Sequence, residues 1–292
     1  MKRNQRELVE RIARRALGDE KVDEILEMPF ADLGFGYDQF GMERESTIIA
    51  YMIARVLYDY YFRVESTGHE HVPRSGRVIV APNHSGMLPY DGGMIAADLL
   101  TAAKQPRAMR GIVDDFAWRL PYIGLGLGRV GQIPGARRNF EELLKSEELV
   151  VVFPEGARGT GKYFRERYQL QRFNVGFMEL SLVHQTPIVP CAVVGAEEQA
   201  PILFKVKWLA KLMGIPYVPI TPTFPLLGPI AGTMPYPTKY HISYGEAQHY
   251  YREYGPDAIH HPDVMRRLVD EYQEIVQDLV SDGVRDRKGV FV

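Results

Sequence analysis

The chain has 292 residues, enough to bury a sizeable core, and its 46% hydrophobic and 25% charged residues exclude wholesale disorder. Its 35 Lys and Arg against 37 Asp and Glu give a formal net charge of -2, which removes any general electrostatic argument for nucleic-acid binding. The single cysteine, Cys191, excludes an internal disulfide, and no Cys/His spacing resembles a zinc site, so no metal is expected.

The chain opens with Lys2, Arg3, Arg6, Arg11, Arg14 and Arg15 against Glu7 and Glu10. Charged residues interrupt positions 8–17, so no apolar signal-peptide core follows, and a reducing, cytoplasmic location is expected. Residues 3–16 and 42–63 read as helices, separated by a stretch over 28–41 punctuated by Gly34, Gly36 and Gly41. Residues 1–64 are therefore expected to form an N-terminal helical arm ahead of an α/β domain over 65–292. The basic end of the arm is a candidate contact for anionic lipid, with a solvated helix face as the plainer alternative.

A helix needs about 20 apolar residues to cross a bilayer, and 46–54 runs into Arg55 too soon. Residues 212–238 are uncharged and long enough, but their prolines, from Pro216 to Pro237, would leave backbone groups unpaired in lipid.

From Arg77 onward, short apolar runs alternate with helical patterns. Residues 78–81, 149–153, 188–194 and 240–244 read as strands, and 92–103, 138–146, 173–184 and 262–281 as helices. Runs that are apolar throughout suit strands covered on both faces. The expected fold class is α/β, a single largely parallel or mixed sheet flanked by helices.

Functional groups in such sheets gather beyond the carboxyl ends of the strands. Two segments fit. The run at 78–81 leads into Pro82, Asn83 and His84, and Gly86 and Pro89 allow the following loop to bring Asp91 back toward the imidazole. A carboxylate on one ring nitrogen fixes the tautomer and raises basicity at the other, which suits proton removal from an alcohol. The plainer reading is that Asp91 caps a helix starting at Gly92. The second segment, Phe153-Pro154-Glu155-Gly156-Ala157-Arg158-Gly159, joins a carboxylate, a guanidinium and small residues at a strand end. Small residues let a polar ligand approach the backbone, and an arginine can fork a phosphate through two parallel hydrogen bonds.

Over about residues 60–250 the chain resembles the glycerolipid acyltransferases that include 1-acylglycerol-3-phosphate acyltransferases. Four ordered blocks carry the resemblance: Asn83-His84 with Asp91, Gly131 through Arg137, Phe153 through Arg158, and Thr186 through Ala192. It implies transfer of a fatty acyl group from acyl-CoA or acyl-carrier protein, as co-substrate, to the hydroxyl of a glycerolipid acceptor. Lysophosphatidic acid or another lysophospholipid is the implied acceptor, and attack is direct, without an acyl-enzyme. By matching position His84 is the implied base and Asp91 its orienting partner. Arg137 and Arg158 are implied anchors for acceptor phosphate, Glu155 and Gly156 shape the acceptor site, and Lys162 is a further candidate anion contact. Two departures stand out. Six residues separate His84 from Asp91 where the family usually has four, and Asn174 stands where the family often carries a lysine. The second departure points away from a simple phosphate monoester and toward diacylglycerol acyltransferase-like members.

Membrane access has its own pattern. No acidic residue occurs between Glu198 and Glu246, while Lys205, Lys207, Lys211 and Lys239 do. At 100° per residue Ile202, Val206, Leu209 and Met213 share a helical face with Trp208 beside it, an expected interfacial helix at the cytoplasmic face of a membrane. The alternative is an arm packed over the sheet.

Other patterns carry less. Gly126-Leu127-Gly128-Arg129-Val130-Gly131 matches a dinucleotide fingerprint by letter, but Pro134 and Gly135 follow too closely for a long helix. Asp114-Asp115 and His260-His261 read as helix entries, and Ser85 lacks the Gly-x-Ser-x-Gly context of a nucleophile. A lipid or thioester hydrolase and a catalytically silent lipid-binding protein are the competing readings.

Overall fold

The computed structural model describes residues 3–101, 106–119, 122–215 and 217–292. Lys2, Ala103 at the end of the helix expected over 92–103, and Pro216 lie outside these. The strands are β1 (Glu65–Thr67), β2 (Val78–Pro82), β3 (Met109–Val113), β4 (Ile133–Pro134), β5 (Leu149–Val151), β6 (Ile188–Val194), β7 (Phe204–Lys205), β8 (Pro219–Ile220) and β9 (His241–Tyr244). The helices are α1 (Arg3–Leu17), α2 (Asp19–Glu27), α3 (Arg44–Val56), α4 (Tyr90–Thr101), α5 (Asp115–Trp118), α6 (Ile123–Arg129), α7 (Arg137–Lys145), α8 (Ala157–Thr160), α9 (Gly176–His184), α10 (Lys207–Met213), α11 (Gly228–Ala231) and α12 (Pro262–Asp286).

Seven strands pair in the order β1-β9-β6-β2-β5-β3-β4, and β7 pairs with β8 apart from them. Every pairing in the main sheet is parallel except β6 with β9. The fold class expected from the sequence, a mixed and largely parallel sheet flanked by helices, is the one observed.

The pleat explains why the central strands are apolar throughout. Val78 and Val80 of β2 and Leu149 and Val151 of β5 enter one core, while Ile79, Ala81 and Val150 enter another on the opposite face. The first core is filled by the N-terminal helices and α4, the second by α7, α9 and α12. Ala13, Val22, Ile25, Ile48 and Tyr51 share the first core with the sheet, so the arm of residues 1–64 packs as part of this layer. Arg110 on β3 reinforces the junction by pairing with buried Asp38 and with Glu148.

Four segments differ from the sequence reading. β1 is a short polar edge strand, and β3 holds Arg110 and Gly111, so neither shows an apolar run. α2 follows α1 directly, and α6 covers most of the fingerprint-like glycines. A Cβ on Gly124 would lie 2.5 Å from the Trp118 carbonyl oxygen, and one on Gly128 would lie 3.3 Å from the Trp118 ring. Those glycines let α6 pack against α5. The expected helix entries hold: α5 begins at Asp115 and α12 at Pro262, just after His261.

Candidate active site

β2 ends where Asn83 takes over its hydrogen bonding. The Asn83 amide donates to the Val193 carbonyl at 3.0 Å and accepts the Val193 N–H at 2.7 Å, pinning the departing chain to β6. His84 is thereby held at the strand mouth. Its Nδ1 lies 2.7 Å from Asp91 Oδ2, and its ring stacks on Phe153 with centroids 3.9 Å apart. Asp91 is fully buried and also accepts the N–H groups of Ser85 and Gly92, at 2.9 and 2.8 Å. With Nδ1 facing a carboxylate, the neutral ring carries its proton there and leaves Nε2 as an acceptor. Nε2 has no hydrogen-bond partner among the described residues, and the side chain is 12% exposed.

Two local features absorb the long His84-to-Asp91 loop. Gly86 adopts φ +78, in the left-handed region, and a Cβ there would lie 2.1 Å from Gln199 Nε2. α4 begins at Tyr90, so Asp91 sits in its first turn and is more than a cap for a helix starting at Gly92.

The turn after β5 closes over His84 from the other side. Glu155 Oε1 accepts the His84 backbone N–H at 2.8 Å, and Oε2 accepts the Gln171 N–H at 2.6 Å. Glu155 therefore points inward and braces the histidine backbone. Gly156 has φ 57 and ψ -150, a conformation essentially restricted to glycine. A Cβ on Gly159 would lie 2.7 Å from the His84 carbonyl oxygen and 2.8 Å from its Cβ, so α8 meets the histidine only because Gly159 lacks a side chain.

The three expected anion contacts separate. Lys162 is buried, 2.7 Å from Glu197 and 3.3 Å from Glu155, so its ammonium already faces two protein carboxylates. Burial opposes its charge, but the two carboxylates outweigh burial and raise its pKa. Glu197, with one ammonium shared between two carboxylates, is pushed up to about 7 by burial against the pull of Lys162. Arg137 pairs with Glu141 and Glu179, on α7 and α9, and makes no hydrogen bond or ion pair with the His84 cluster. Arg158 is exposed and has no carboxylate partner among the described residues. Its Nη2 donates to the Arg172 carbonyl at 2.9 Å and to Asn174 Oδ1 at 2.8 Å.

Glu197 and the bracing role of Gly159 escaped the sequence reading. Glu197 lies just past the carboxyl end of β6, where the strand-end rule would have directed attention. Gly86, Gly159, Lys162, Tyr163 and Glu197 share the lining of a narrow crevice beside the dyad.

The lysine-rich segment turns the other way from expectation. Ile202 is buried and Val206 and Leu209 are half-buried, so much of the face expected to meet lipid packs inward. Trp208 and Leu212, one turn apart on α10, are instead 73% and 79% exposed, with Phe204 at 68% and Lys207 and Lys211 on the surface alongside. The Lys205 ammonium sits over the rings of Tyr163 and Tyr217, at 4.4 and 5.5 Å, and is half-buried. No helix among the described residues is long and apolar enough to cross a membrane.

A strand-mouth histidine with a buried carboxylate partner, braced by the turn of the neighbouring strand on a mixed sheet, defines the class: the chain carries an acyltransferase domain similar to those of glycerolipid acyltransferases. The acyltransferase family model matches residues 63–194, from just before β1 to the end of β6. An uncharacterised protein of Mycobacterium tuberculosis is 38% identical over 88% of this chain and 72% of its own length. Human 1-acyl-sn-glycerol-3-phosphate acyltransferase alpha is 27% identical over 49% of this chain and 50% of its own. In fold, the chain is similar to the crystal structure of the 1-acyl-sn-glycerophosphate acyltransferase PlsC from Thermotoga maritima. The TM-score is 0.54 at 14% identity, covering 99% of this chain and 100% of that one. The domain over residues 63–194 is an acyltransferase domain.

Proposed function

We propose that the protein transfers a fatty acyl group from acyl-CoA or acyl-carrier protein to the hydroxyl of a glycerolipid acceptor, such as lysophosphatidic acid or another lysophospholipid. The observation that carries this reading is the 2.7 Å contact between His84 Nδ1 and Asp91, which leaves Nε2 unpartnered at the strand mouth. Nε2 takes the proton of the acceptor hydroxyl as its oxygen attacks the thioester carbonyl. The new C–O bond forms, the tetrahedral intermediate collapses, and the C–S bond breaks. The imidazolium returns its proton to the departing thiolate. Asp91 stabilises the imidazolium between these steps.

Direct attack is favoured because the nearby nucleophiles are sealed. Cys191 is fully buried, with burial pushing its thiol pKa up, and Ser85 Oγ is buried with no hydrogen-bond partner among the described residues. The reaction calls on no metal or bound cofactor, since the base and the activated thioester supply the chemistry.

In this reading the enzyme works on lipid substrates at the cytoplasmic face of a membrane, as a peripheral or monotopic protein. Exposed Trp208 and Leu212, flanked by Lys207 and Lys211, support that placement. In the arm of residues 1–64, exposed Ile53, Val56 and Tyr60 at helical spacing form a second apolar stripe.

The test is mass spectrometry of the products formed from one acyl-CoA and a panel of lysophospholipids, glycerol phosphate and diacylglycerol. Acylated lipid is the expected product. Free fatty acid released at the same rate without acceptor would make the protein a hydrolase, and liposome binding without turnover would make it a silent lipid-binding protein.

A further inference from the structure

Arg158 is the one expected anion contact of the three whose charge is unmet by a carboxylate among the described residues, and its geometry restricts what it can hold. A guanidinium forks a phosphate along either its Nε–Nη2 edge or its Nη1–Nη2 edge, and both edges use Nη2. Nη2 carries two hydrogens, and both are engaged, one by the Arg172 carbonyl at 2.9 Å and one by Asn174 Oδ1 at 2.8 Å. What remains are the Nε–H and the two Nη1–H donors, none of which can complete a forked edge without Nη2. Asn174 is itself fixed to the same turn, its N–H donating to the Pro154 carbonyl at 3.0 Å. The charge count agrees. Arg137 is satisfied by Glu141 and Glu179, and Lys162 by Glu155 and Glu197. Arg172 lends Arg158 only its carbonyl, and its own charge bears on Asp270 of α12.

We propose that the acceptor of this enzyme is a lysophospholipid whose head group is a phosphodiester, carrying one negative charge, and that Asn174 sets this preference by occupying Arg158 Nη2. A phosphate monoester is close to dianionic at neutral pH and gains most from a bidentate arginine. A phosphodiester has one charge and is served by a single charge-assisted hydrogen bond. Asn174 is thus a specificity residue that acts through Arg158. The inference rests on the acyl-transfer reading for its biological meaning, while binding tests it independently of turnover.

The test measures binding of lysophosphatidylglycerol and lysophosphatidic acid with the same acyl chain, each in neutral detergent micelles, to full-length His84→Ala protein. The phosphodiester is expected to bind about tenfold tighter, the scale of one charged hydrogen bond. Asn174→Ala, added to the same protein, frees Nη2 and is expected to collapse that ratio by raising affinity for the monoester. Equal or tighter binding of lysophosphatidic acid overturns the proposal, as does a ratio that Asn174→Ala leaves unmoved, or failure to bind either lipid. If active protein acylates neither lipid while the His84→Ala protein still prefers the phosphodiester, the acyl-transfer reading fails and the head-group preference stands.

Discussion

Glu155 holds His84 by its backbone: Oε1 accepts the histidine N–H at 2.8 Å, while Lys162 sits 3.3 Å from the other carboxylate oxygen. The contact ties the turn after β5 to the second residue after β2, so the His84 ring is aimed by two neighbouring strands. Glu155→Gln keeps one acceptor oxygen but points an amide N–H2 at either the His84 or the Gln171 N–H. It also leaves Lys162 with Glu197 alone. Breaking this buried arrangement is expected to cost roughly 3 kcal/mol of stability and at least tenfold in kcat. Thermal unfolding and steady-state acyl transfer on the same preparation check it; an unchanged kcat would show that Glu155 does not position the histidine.

Gly159→Ala tests the same brace sterically. The added methyl would stand 2.7 Å from the His84 carbonyl oxygen and 2.9 Å from Glu155 Cβ, so backbone on one side or the other must move. Gly176→Ala, at the start of α9 with no atom within 4 Å, is the matched control. The first substitution is expected to lower both Tm and kcat, and the second to leave both near wild type. Equal effects of the two would remove the steric argument.

A second His–Asp pair predicts a pH-dependent stability. Asp98 is buried and accepts from Tyr58, Ser66, His69 and Tyr244, joining the arm, β1, α4 and β9. The hydrogen bond to Asp98 raises the His69 pKa above 6.5. Burial works to raise Asp98, but its hydrogen bonds to His69, Ser66 and Tyr58 prevail and hold it below 3.8. The His69 contribution is full below its unfolded pKa and is lost as pH rises through the raised folded value. The Asp98 contribution is present above its unfolded pKa and is lost as pH falls through the lowered one. His69→Gln is therefore expected to lower Tm most between about pH 4 and 6.5, with the deficit shrinking by pH 8.5. Glu197 adds a separate trend: its folded pKa near 7, against 4.5 unfolded, makes it a growing liability as pH rises through that interval. Glu197→Gln is expected to gain Tm relative to wild type between pH 5 and pH 8. Differential scanning fluorimetry across pH reads both, and flat difference profiles would contradict them.

Trp208 and Leu212 carry the membrane reading. Burying these exposed side chains in lipid is worth about 1.5–3 kcal/mol each, so Trp208→Ala with Leu212→Ala is expected to weaken liposome binding by about 10²–10⁴-fold. Activity on micellar substrate should persist. Lys207→Gln with Lys211→Gln should mainly reduce binding to anionic vesicles and its salt sensitivity. Cosedimentation with neutral and anionic liposomes measures both, and full binding by the Trp208/Leu212 variant would place the membrane face elsewhere.

How much of this could be read from the sequence depended on how local each signal was. The apolar runs of β2, β5 and β6 announced themselves because both faces of those strands are covered. β3 did not, because Arg110 lies inside it and is neutralised by Asp38, 72 positions away along the chain. The approach of His84 to Asp91 followed from the strand-end rule and the loop glycine. The fate of Lys162 did not, since nothing local to it indicates that Glu197, 35 positions on, will bury it. The α10 face was assigned to the wrong side because helical periodicity identifies an apolar stripe without saying whether sheet or lipid covers it. Ile202, just ahead of the helix, is buried, and Trp208 stays outside.

The central claim is that His84, held by Asp91, removes the proton from a lipid hydroxyl. Its most direct test is the rate of acyl-thioester consumption with and without a lysophospholipid acceptor, in wild type, His84→Ala and Asp91→Asn, each confirmed folded by circular dichroism. The account predicts consumption that requires acceptor, is abolished in His84→Ala, and falls by about 10²–10⁴-fold in Asp91→Asn. Acceptor-dependent consumption by His84→Ala within a few fold of wild type would contradict it.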